Sequence, residues 1–295
     1  MRLQHPIFHA PLDPHIVLGT HATPENYRAW PGGRDLPDEL PTWEVHQGAF
    51  PASVDVGLVS DPYGFEDSPD AEWISSGINS KGPSSVALGR QGNLFLWGFA
   101  GDAAQMTESA RRVFLNTICY MKQFDGRTPL VGKEQSAREW GQVFSGYVAE
   151  YTGEGKQEPD WIRSLFPAPV LERCGLDAAA LESYYRENLP YLRPGENGMI
   201  ADEDLLALQV SNRDVRLLEL LVERFASDPA DPLGRRLLER YVGADMKPEA
   251  LNVWLQENRP YLFFSDVGGF RWFIDTRAKA EAQTRRAAVP AGSGR

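Results

Sequence analysis

One stretch, residues 76–124, limits the possible folds more than any other part of this sequence, because it combines two short apolar runs, a tight turn and a long amphipathic segment. The turn contains Gly92 and Asn93, the residue types that best tolerate a positive φ. Residues 94–99 (LFLWGF) are almost wholly apolar, which is typical of a strand covered on both faces. The sequence therefore predicts a two-stranded hairpin, with one strand at residues 85–89 and the other at 94–99, followed by a helix.

This helix is predicted to begin after Thr107, a good N-cap residue. Apolar residues recur at spacings of three and four and indicate one buried face, formed by Met106, Ala110, Val113, Phe114, Ile118, Met121 and Phe124. Gly126 stands where a C-terminal cap belongs, so the first domain is predicted to cover residues 1–130. Shorter apolar runs predict further strands in this domain at residues 16–18, 43–45 and 56–59.

Residues 131–277 are predicted to form a mainly helical domain that closes with a β-hairpin. Helix starts are indicated by a capping box at residues 136–139, by Asp177, by Ser211, by Asp231 before Pro232, and by Pro248. The periodicity changes to two over residues 262–274, which predicts the hairpin. Residues 278–295 are polar and rich in alanine, and they are predicted to form a disordered tail.

Charge and apolar patterning argue against several classes of protein. A formal net charge of −11 argues against nucleic acid as the partner, and no apolar run reaches the roughly 18 residues that a membrane span needs. Residues 1–15 lack the apolar core of a signal peptide, so a chain that starts at Met1 is expected in the cytoplasm. The two cysteines do not form the pattern of a disulfide framework.

Three motifs resemble parts of a known family. Residues 89–93 (GRQGN) precede a strand ending in Trp-Gly-Phe, a helix with Phe-Leu-Asn at 114–116 follows, and residues 5–7 read His-Pro-Ile. Together they resemble the closing hairpin and last helix of ThuA-like (trehalose-utilisation) proteins. The resemblance implies an α/β fold for residues 1–130, as a partial glutamine-amidotransferase-like domain, and a carbohydrate-related role. It does not extend to the nucleophilic cysteine of amidotransferases, because Cys119 lies in the middle of the predicted helix.

The length of the first domain bears on this resemblance. A doubly wound domain commonly needs more than the roughly 125 residues that precede the boundary. The first domain is therefore expected to be either a reduced version of the fold or incomplete at its N-terminus. In the second case a missing leader would place the protein in the periplasm or outside the cell. Residues 61–131, followed by a helical domain with FFSDVGG at 263–269, also resemble a recurring type of bacterial protein.

The histidines are the first candidate site. His5, His9, His15 and His21 could supply imidazole ligands to zinc or another transition metal. No motif with two histidines one helical turn apart supports this interpretation. The alternative is that each histidine forms a local hydrogen bond in a loop.

Two further groups lie in and after an acidic loop. Asp67, Asp70 and Glu72 could act as acid and base on a carbohydrate, beside rings such as Tyr63 that stack on sugars. Asn79, Lys81 and Arg90 could bind an anion such as a phosphate or carboxylate. The structural alternatives are that the acids cap turns and that Lys81 or Arg90 pairs with them to hold the loop.

The sequence thus predicts a non-catalytic ligand-binding or accessory protein, related to carbohydrates, whose small-molecule or carbohydrate ligand lies near Tyr63, Asn79, Lys81 and Arg90. One alternative is a carbohydrate-active hydrolase, assisted by a metal, which needs two carboxyl groups about 5–10 Å apart. Another is a protein-interaction module, which would present an exposed apolar patch of several hundred Å². The sequence specifies neither a cofactor nor an oligomeric state.

Overall fold

The computed structural model describes residues 1–29, 33–48, 57–153 and 155–288, which form a mixture of helix and sheet. Close contacts divide the chain into two compact units. The first comprises Met1–Glu66 and Asp70–Pro129, and the second comprises Asp67–Pro69 and Leu130–Arg295. The sequence pattern gave no indication that Asp67–Pro69 would belong to the second unit.

The described part of the first unit contains two antiparallel sheets. In the smaller one, β1 (Gly19–Ala22) pairs with β2 (Glu39–Thr42). The larger one has the strand order β3 (Ala71–Ser76), β4 (Val86–Gln91), β5 (Leu94–Trp97). The central strand, β4, is buried from residue 86 to residue 90. It packs with Ile7, Phe8, Ile74 and Val113 in an apolar core through Leu88.

The hairpin occurs where the sequence predicts it, but the prediction that its second strand is covered on both faces was wrong. In the described sheet β5 lies at the edge, beside β4 alone, and it ends at Trp97. Leu94 is 61% exposed. The covered strand is instead β4, whose residues 86–90 are all buried, whereas no residue of β5 is. An apolar run marks contact with other groups but does not distinguish a central strand from an edge strand.

The three short strands predicted before residue 60 do not occur at the predicted positions. β1 begins just after the predicted run at residues 16–18, and β2 ends just before the run at 43–45. In the third run, Gly57 forms only an isolated bridge with Phe99, and Val56 lies outside the described residues.

The helix after the hairpin is α1 (Glu108–Met121). Its N-cap is confirmed, because the Thr107 hydroxyl accepts a hydrogen bond from the Ala110 amide at 3.2 Å. Its buried face is only partly as predicted. The helix buries Ala110, Val113, Asn116 and Thr117, whereas Phe114, Leu115 and Ile118 are exposed.

Asn116 explains part of this difference. Its side-chain amide donates to the carbonyls of Ile7 and Leu12 at 2.9 and 2.7 Å and accepts from the Leu12 amide at 2.8 Å. The N-terminal segment therefore covers α1 on the side that carries Asn116. As a result, the buried face of the helix includes this polar residue. Hydrophobic periodicity alone could not indicate this rotation.

The second unit is mainly helical. Its helices are α2 (Trp140–Tyr151), α3 (Ala168–Cys174), α4 (Ala178–Glu187), α5 (Glu203–Leu208), α6 (Arg216–Ser227), α7 (Pro232–Tyr241), α8 (Pro248–Asn258) and α9 (Thr276–Ala288). Two hairpins accompany them, β6 (Leu192–Pro194) with β7 (Met199–Ala201) and β8 (Leu262–Ser265) with β9 (Arg271–Ile274). One apolar core connects helices α4 to α8 with the closing hairpin.

Several helix starts are confirmed and two are not. Asp177 accepts a hydrogen bond from the Ala180 amide in the first turn of α4, and Asp231 accepts from the Leu233 and Gly234 amides in the first turn of α7. Helix α8 begins at Pro248. The predicted capping box at residues 136–139 does not cap a helix, since α2 begins at Trp140 without a side-chain cap. Likewise α6 begins at Arg216 and not at Ser211. In both places a polar residue, Arg138 or Asn212, instead forms buried hydrogen bonds inside the unit.

The prediction of a disordered tail at residues 278–295 was wrong for 278–288, which belong to α9. The Asp275 carboxylate accepts hydrogen bonds from the amides of Arg277 and Ala278 and so starts this helix. Alanine and arginine, which are abundant here, have high helix propensity. Residues 289–295 lie outside the described residues. Within the described part of the chain, no helix has both the length and the apolarity that crossing a membrane requires.

Candidate functional site

In the first unit, the pairing of β3 with β4 places Glu72 directly opposite Arg90. One amino group of the Arg90 guanidinium (Nη2) donates to Glu72 Oε1 at 2.8 Å, and the other (Nη1) donates to the Gly92 carbonyl at 2.9 Å. The guanidinium also lies 3.8 Å from the centre of the Phe124 ring. Arg90 is only 6% exposed, so its charge depends on Glu72 for compensation.

Two further residues complete this polar cluster. Tyr120 on α1 donates from its hydroxyl to Glu72 Oε2 at 2.8 Å. His5 Nε2 lies 3.3 Å from the same oxygen, and the Ile7 amide points to His5 Nδ1. This arrangement places the imidazole proton on Nε2, directed at the carboxylate. Glu72 therefore accepts hydrogen bonds from Arg90, Tyr120 and His5.

The electrostatics of the cluster do not favour acid–base catalysis. Burial alone would raise the pKa of Glu72, but the hydrogen bonds from His5, Arg90 and Tyr120, together with the Arg90 charge, hold that pKa well below its usual value. Burial and the adjacent carboxylate raise the pKa of Tyr120 to about 12. Because general acids and bases work best with a pKa near the operating pH, Glu72 and Tyr120 are both poorly suited to proton transfer.

Two of the three acidic residues predicted as catalytic, Asp67 and Glu72, have different hydrogen-bond partners, each within its own unit. Asp67 belongs to the second unit, whereas Asp70 and Glu72 belong to the first. The Asp67 carboxylate accepts hydrogen bonds from the amides of Asp266 and Val267 at 2.6 and 3.2 Å and from the Ser265 hydroxyl at 3.1 Å. Burial raises the pKa of Asp67, although these hydrogen bonds oppose the effect. Asp70 is buried, and its carbonyl accepts the Gly92 amide of the hairpin turn.

The residues predicted to bind an anion have separate partners. Lys81 Nζ donates to the Val59 carbonyl at 3.0 Å. Asn79 accepts from the Lys81 amide at 2.6 Å and donates to the Gly82 carbonyl at 3.2 Å, so its side chain shapes its own loop. Tyr63 is half-buried. Among the described residues, Lys81 and Arg90 therefore do not contact a common group. Arg90 pairs with Glu72, which is the structural alternative for this residue.

The four candidate metal ligands are also separated by their contacts. His9 contacts the Leu3 carbonyl, His15 pairs with Asp13, and His21 contacts the Ala22 carbonyl, while His5 contacts Glu72. No group of three or more potential metal ligands occurs within residues 1–29, 33–48, 57–153 and 155–288.

Sequence reasoning missed a cavity in the second unit, which is open to solvent on one side. It has a volume of about 580 Å³ and is lined by Ser211, Arg213, Asp214, Val215, Arg259, Leu262 and Trp272. This volume lies within the range of small-molecule sites, which is roughly 300–1,000 Å³. The lining combines an apolar wall with two guanidinium groups, a carboxylate and a hydroxyl.

A buried ion pair organises one wall of this cavity. Arg138 and Asp266 are 2% and 0% exposed, and the Arg138 guanidinium donates to both Asp266 oxygens at 2.7 and 2.6 Å. Arg213 contacts the same carboxylate at 2.8 and 3.2 Å from the cavity side. Burial alone would raise the pKa of Asp266, but the bonds and charge of Arg138, together with the Arg213 charge, hold it below its usual value.

The loop before α6 is held by the same interaction network. Asn212 accepts from Arg138 at 2.9 Å and donates to the Leu192 carbonyl at 2.9 Å. Asp214 accepts from the Arg216 amide at 2.9 Å, which orients its carboxylate at the start of α6. This explains why residues 211–215 form a loop and not the predicted helix start. Asp266, a charged residue among the apolar residues of the closing hairpin (FFSDVGGF, 263–270), was the available sign of a buried polar partner.

Comparison of the chain with protein-family models, with curated proteins and with solved structures found no match.

Proposed function

We propose that the protein is a non-catalytic ligand-binding or accessory protein, whose small polar ligand occupies the cavity of the second unit. The observation that supports this most directly is the lining, in which Arg213, Arg259 and Asp214 lie beside the apolar side chains of Val215, Leu262 and Trp272. Charged groups beside apolar side chains are a combination that can orient a small polar ligand. The location differs from that predicted from the sequence, which placed the ligand near Lys81 and Arg90.

The chemistry of the carboxyl groups supports a binding role over the hydrolase alternative. Glu72 has a lowered pKa and accepts three hydrogen bonds, and Asp67 accepts from two backbone amides. A glycosidase acid must instead hold a proton near neutral pH and present it to the substrate. We therefore place no catalytic residue in either region.

A carbohydrate-related ligand fits the cavity because sugars present hydroxyl groups at their edges and carbon–hydrogen faces between them. Aspartate and arginine side chains hydrogen-bond to hydroxyls, and the apolar wall offers a surface to the ring face. This proposal also agrees with the carbohydrate-related role that the resemblance to ThuA-like proteins implies. That resemblance itself remains a prediction.

A thermal-shift screen of the intact chain against neutral sugars, sugar acids and other small organic acids tests the proposal. At least one compound is expected to raise the melting temperature, since a ligand that binds only the native state stabilises it. The shift should disappear in Val215→Trp, which fills the cavity, and persist in the control Val253→Trp, whose exposed site on α8 lies outside the lining. A shift that both variants retain would contradict the proposed site.

A further inference from the structure

The two arginines of the cavity differ in how their charges are compensated. The Asp266 carboxylate is already paired with buried Arg138, so Arg213 is a second guanidinium on one carboxylate. Its Nε and Nη2 face Asp266, and Nη1 has no hydrogen-bond partner among the described residues. Arg213 thus brings a positive charge and free donors to the cavity wall.

Arg259 supplies a second guanidinium. One of its amino groups pairs with Glu219 on α6, and both side chains are substantially exposed. Within the described part of the chain, its remaining donors have no hydrogen-bond partner. Two guanidinium groups with free donors are a common arrangement for binding a carboxylate, because the planar fork matches the two carboxylate oxygens.

Groups that could serve hydroxyls lie in the same lining. One Asp214 oxygen accepts the Arg216 amide, and the carboxylate has no ion pair within the described residues, which leaves acceptor capacity toward the cavity. Trp272 contributes apolar surface to the lining, because its indole Nε1, which has no acceptor among the described residues, is shielded from solvent. Ser211 is less available, because its hydroxyl donates to the Pro190 carbonyl and accepts from the Arg213 amide.

We propose that the ligand of this cavity is a sugar acid, a small molecule with one carboxylate and several hydroxyl groups. The inference rests on the function proposed above and specifies its ligand class. The carboxylate binds Arg213 and Arg259, hydroxyl groups donate to Asp214, and the carbon–hydrogen face of the ring packs on Val215, Leu262 and Trp272. A neutral sugar offers no carboxylate to the remaining donors of Arg213 and Arg259, which are already paired with Asp266 and Glu219, and an apolar amino acid offers no hydroxyls.

Isothermal titration calorimetry of the intact chain with glucuronate, glucose and leucine tests this assignment. Glucuronate is expected to bind about tenfold or more tightly than glucose, as a charge-assisted hydrogen bond is worth about one factor of ten. Arg259→Ala should weaken glucuronate binding about tenfold and leave glucose binding little changed. The matched control is Arg163→Ala, an exposed arginine of the same unit that pairs with Glu158 and lies outside the lining; its affinity should equal that of the wild type.

The outcomes separate the two proposals. If glucose binds as tightly as glucuronate, the carboxylate assignment is wrong and the ligand-binding function stands. If leucine binds more tightly than glucuronate, the hydroxyl assignment is wrong. If none of the three binds at millimolar concentration, the sugar-acid inference is overturned, and the thermal-shift screen alone then decides the proposed function. Equal weakening by Arg259→Ala and Arg163→Ala would also overturn the inference, since it would show a general charge effect.

Discussion

Substitution of Asp266 by Asn tests the buried ion pair that organises the cavity wall. The change keeps the size of the side chain but leaves the Arg138 guanidinium, 2% exposed, without a charged partner. Removing one partner of a buried pair costs about 3–5 kcal/mol. Because native proteins are stable by only about 5–15 kcal/mol, this is a large share of the stability of the second unit.

The assay is equilibrium unfolding in urea, followed by far-ultraviolet circular dichroism. Arg213→Ala is the comparison, since it removes the half-exposed contact with the same carboxylate and should cost only about 0.2–1 kcal/mol. The double variant Arg138→Met/Asp266→Asn should recover much of the loss, because it removes the unpaired charge. The reasoning is refuted if Asp266→Asn costs no more than Arg213→Ala.

Three further predictions concern the first unit. Tyr120→Phe removes a hydrogen bond to the Glu72 carboxylate and should lower the free energy of unfolding by about 1.5–3 kcal/mol in urea titrations; a smaller loss would show that Tyr120 is not a partner of Glu72. Because the pKa of Glu72 is lowered in the folded state, its stabilisation is complete above the unfolded carboxyl pKa of about 4 and is lost as the pH falls through the folded pKa. The stability difference between wild type and Glu72→Gln should therefore be smaller at low pH than at neutral pH, and an unchanged difference would contradict this. Gly92→Ala should lower the melting temperature more than Gly126→Ala: both have a positive φ, but a Cβ at 92 would meet the Arg127 carbonyl oxygen at 2.6 Å, whereas 126 is open.

Local signals in the sequence identified much of the local structure. The turn at Gly92, the N-caps Thr107, Asp177 and Asp231, and the closing hairpin were predictable because each depends on a few neighbouring residues. Helix starts predicted from local pattern at residues 136 and 211 were wrong. There the polar residues resemble helix starts, but Arg138, Asn212 and Asp266 interact over long sequence separations. No local pattern distinguishes a capping residue from a residue recruited by a distant partner.

The candidate site was predictable only in its components. Glu72, Arg90 and His5 were all singled out, but as three separate sites, and the structure joins them in one cluster through the pairing of β3 with β4. The cavity of the second unit was not predicted, because its lining comes from a loop, the end of α8 and two strands. Arginines spaced so far apart along a chain show no motif.

The most direct test of the central claim is the nuclear magnetic resonance signal of the Trp272 indole N–H during titration of the intact chain with glucuronate and with glucose. We predict a saturable shift of this signal with at least one of the two, while the exposed Trp161, which lies outside the lining, keeps its position. If the Trp272 signal does not move with either compound, or if Trp161 moves equally, these sugars do not bind in this cavity and the account is contradicted.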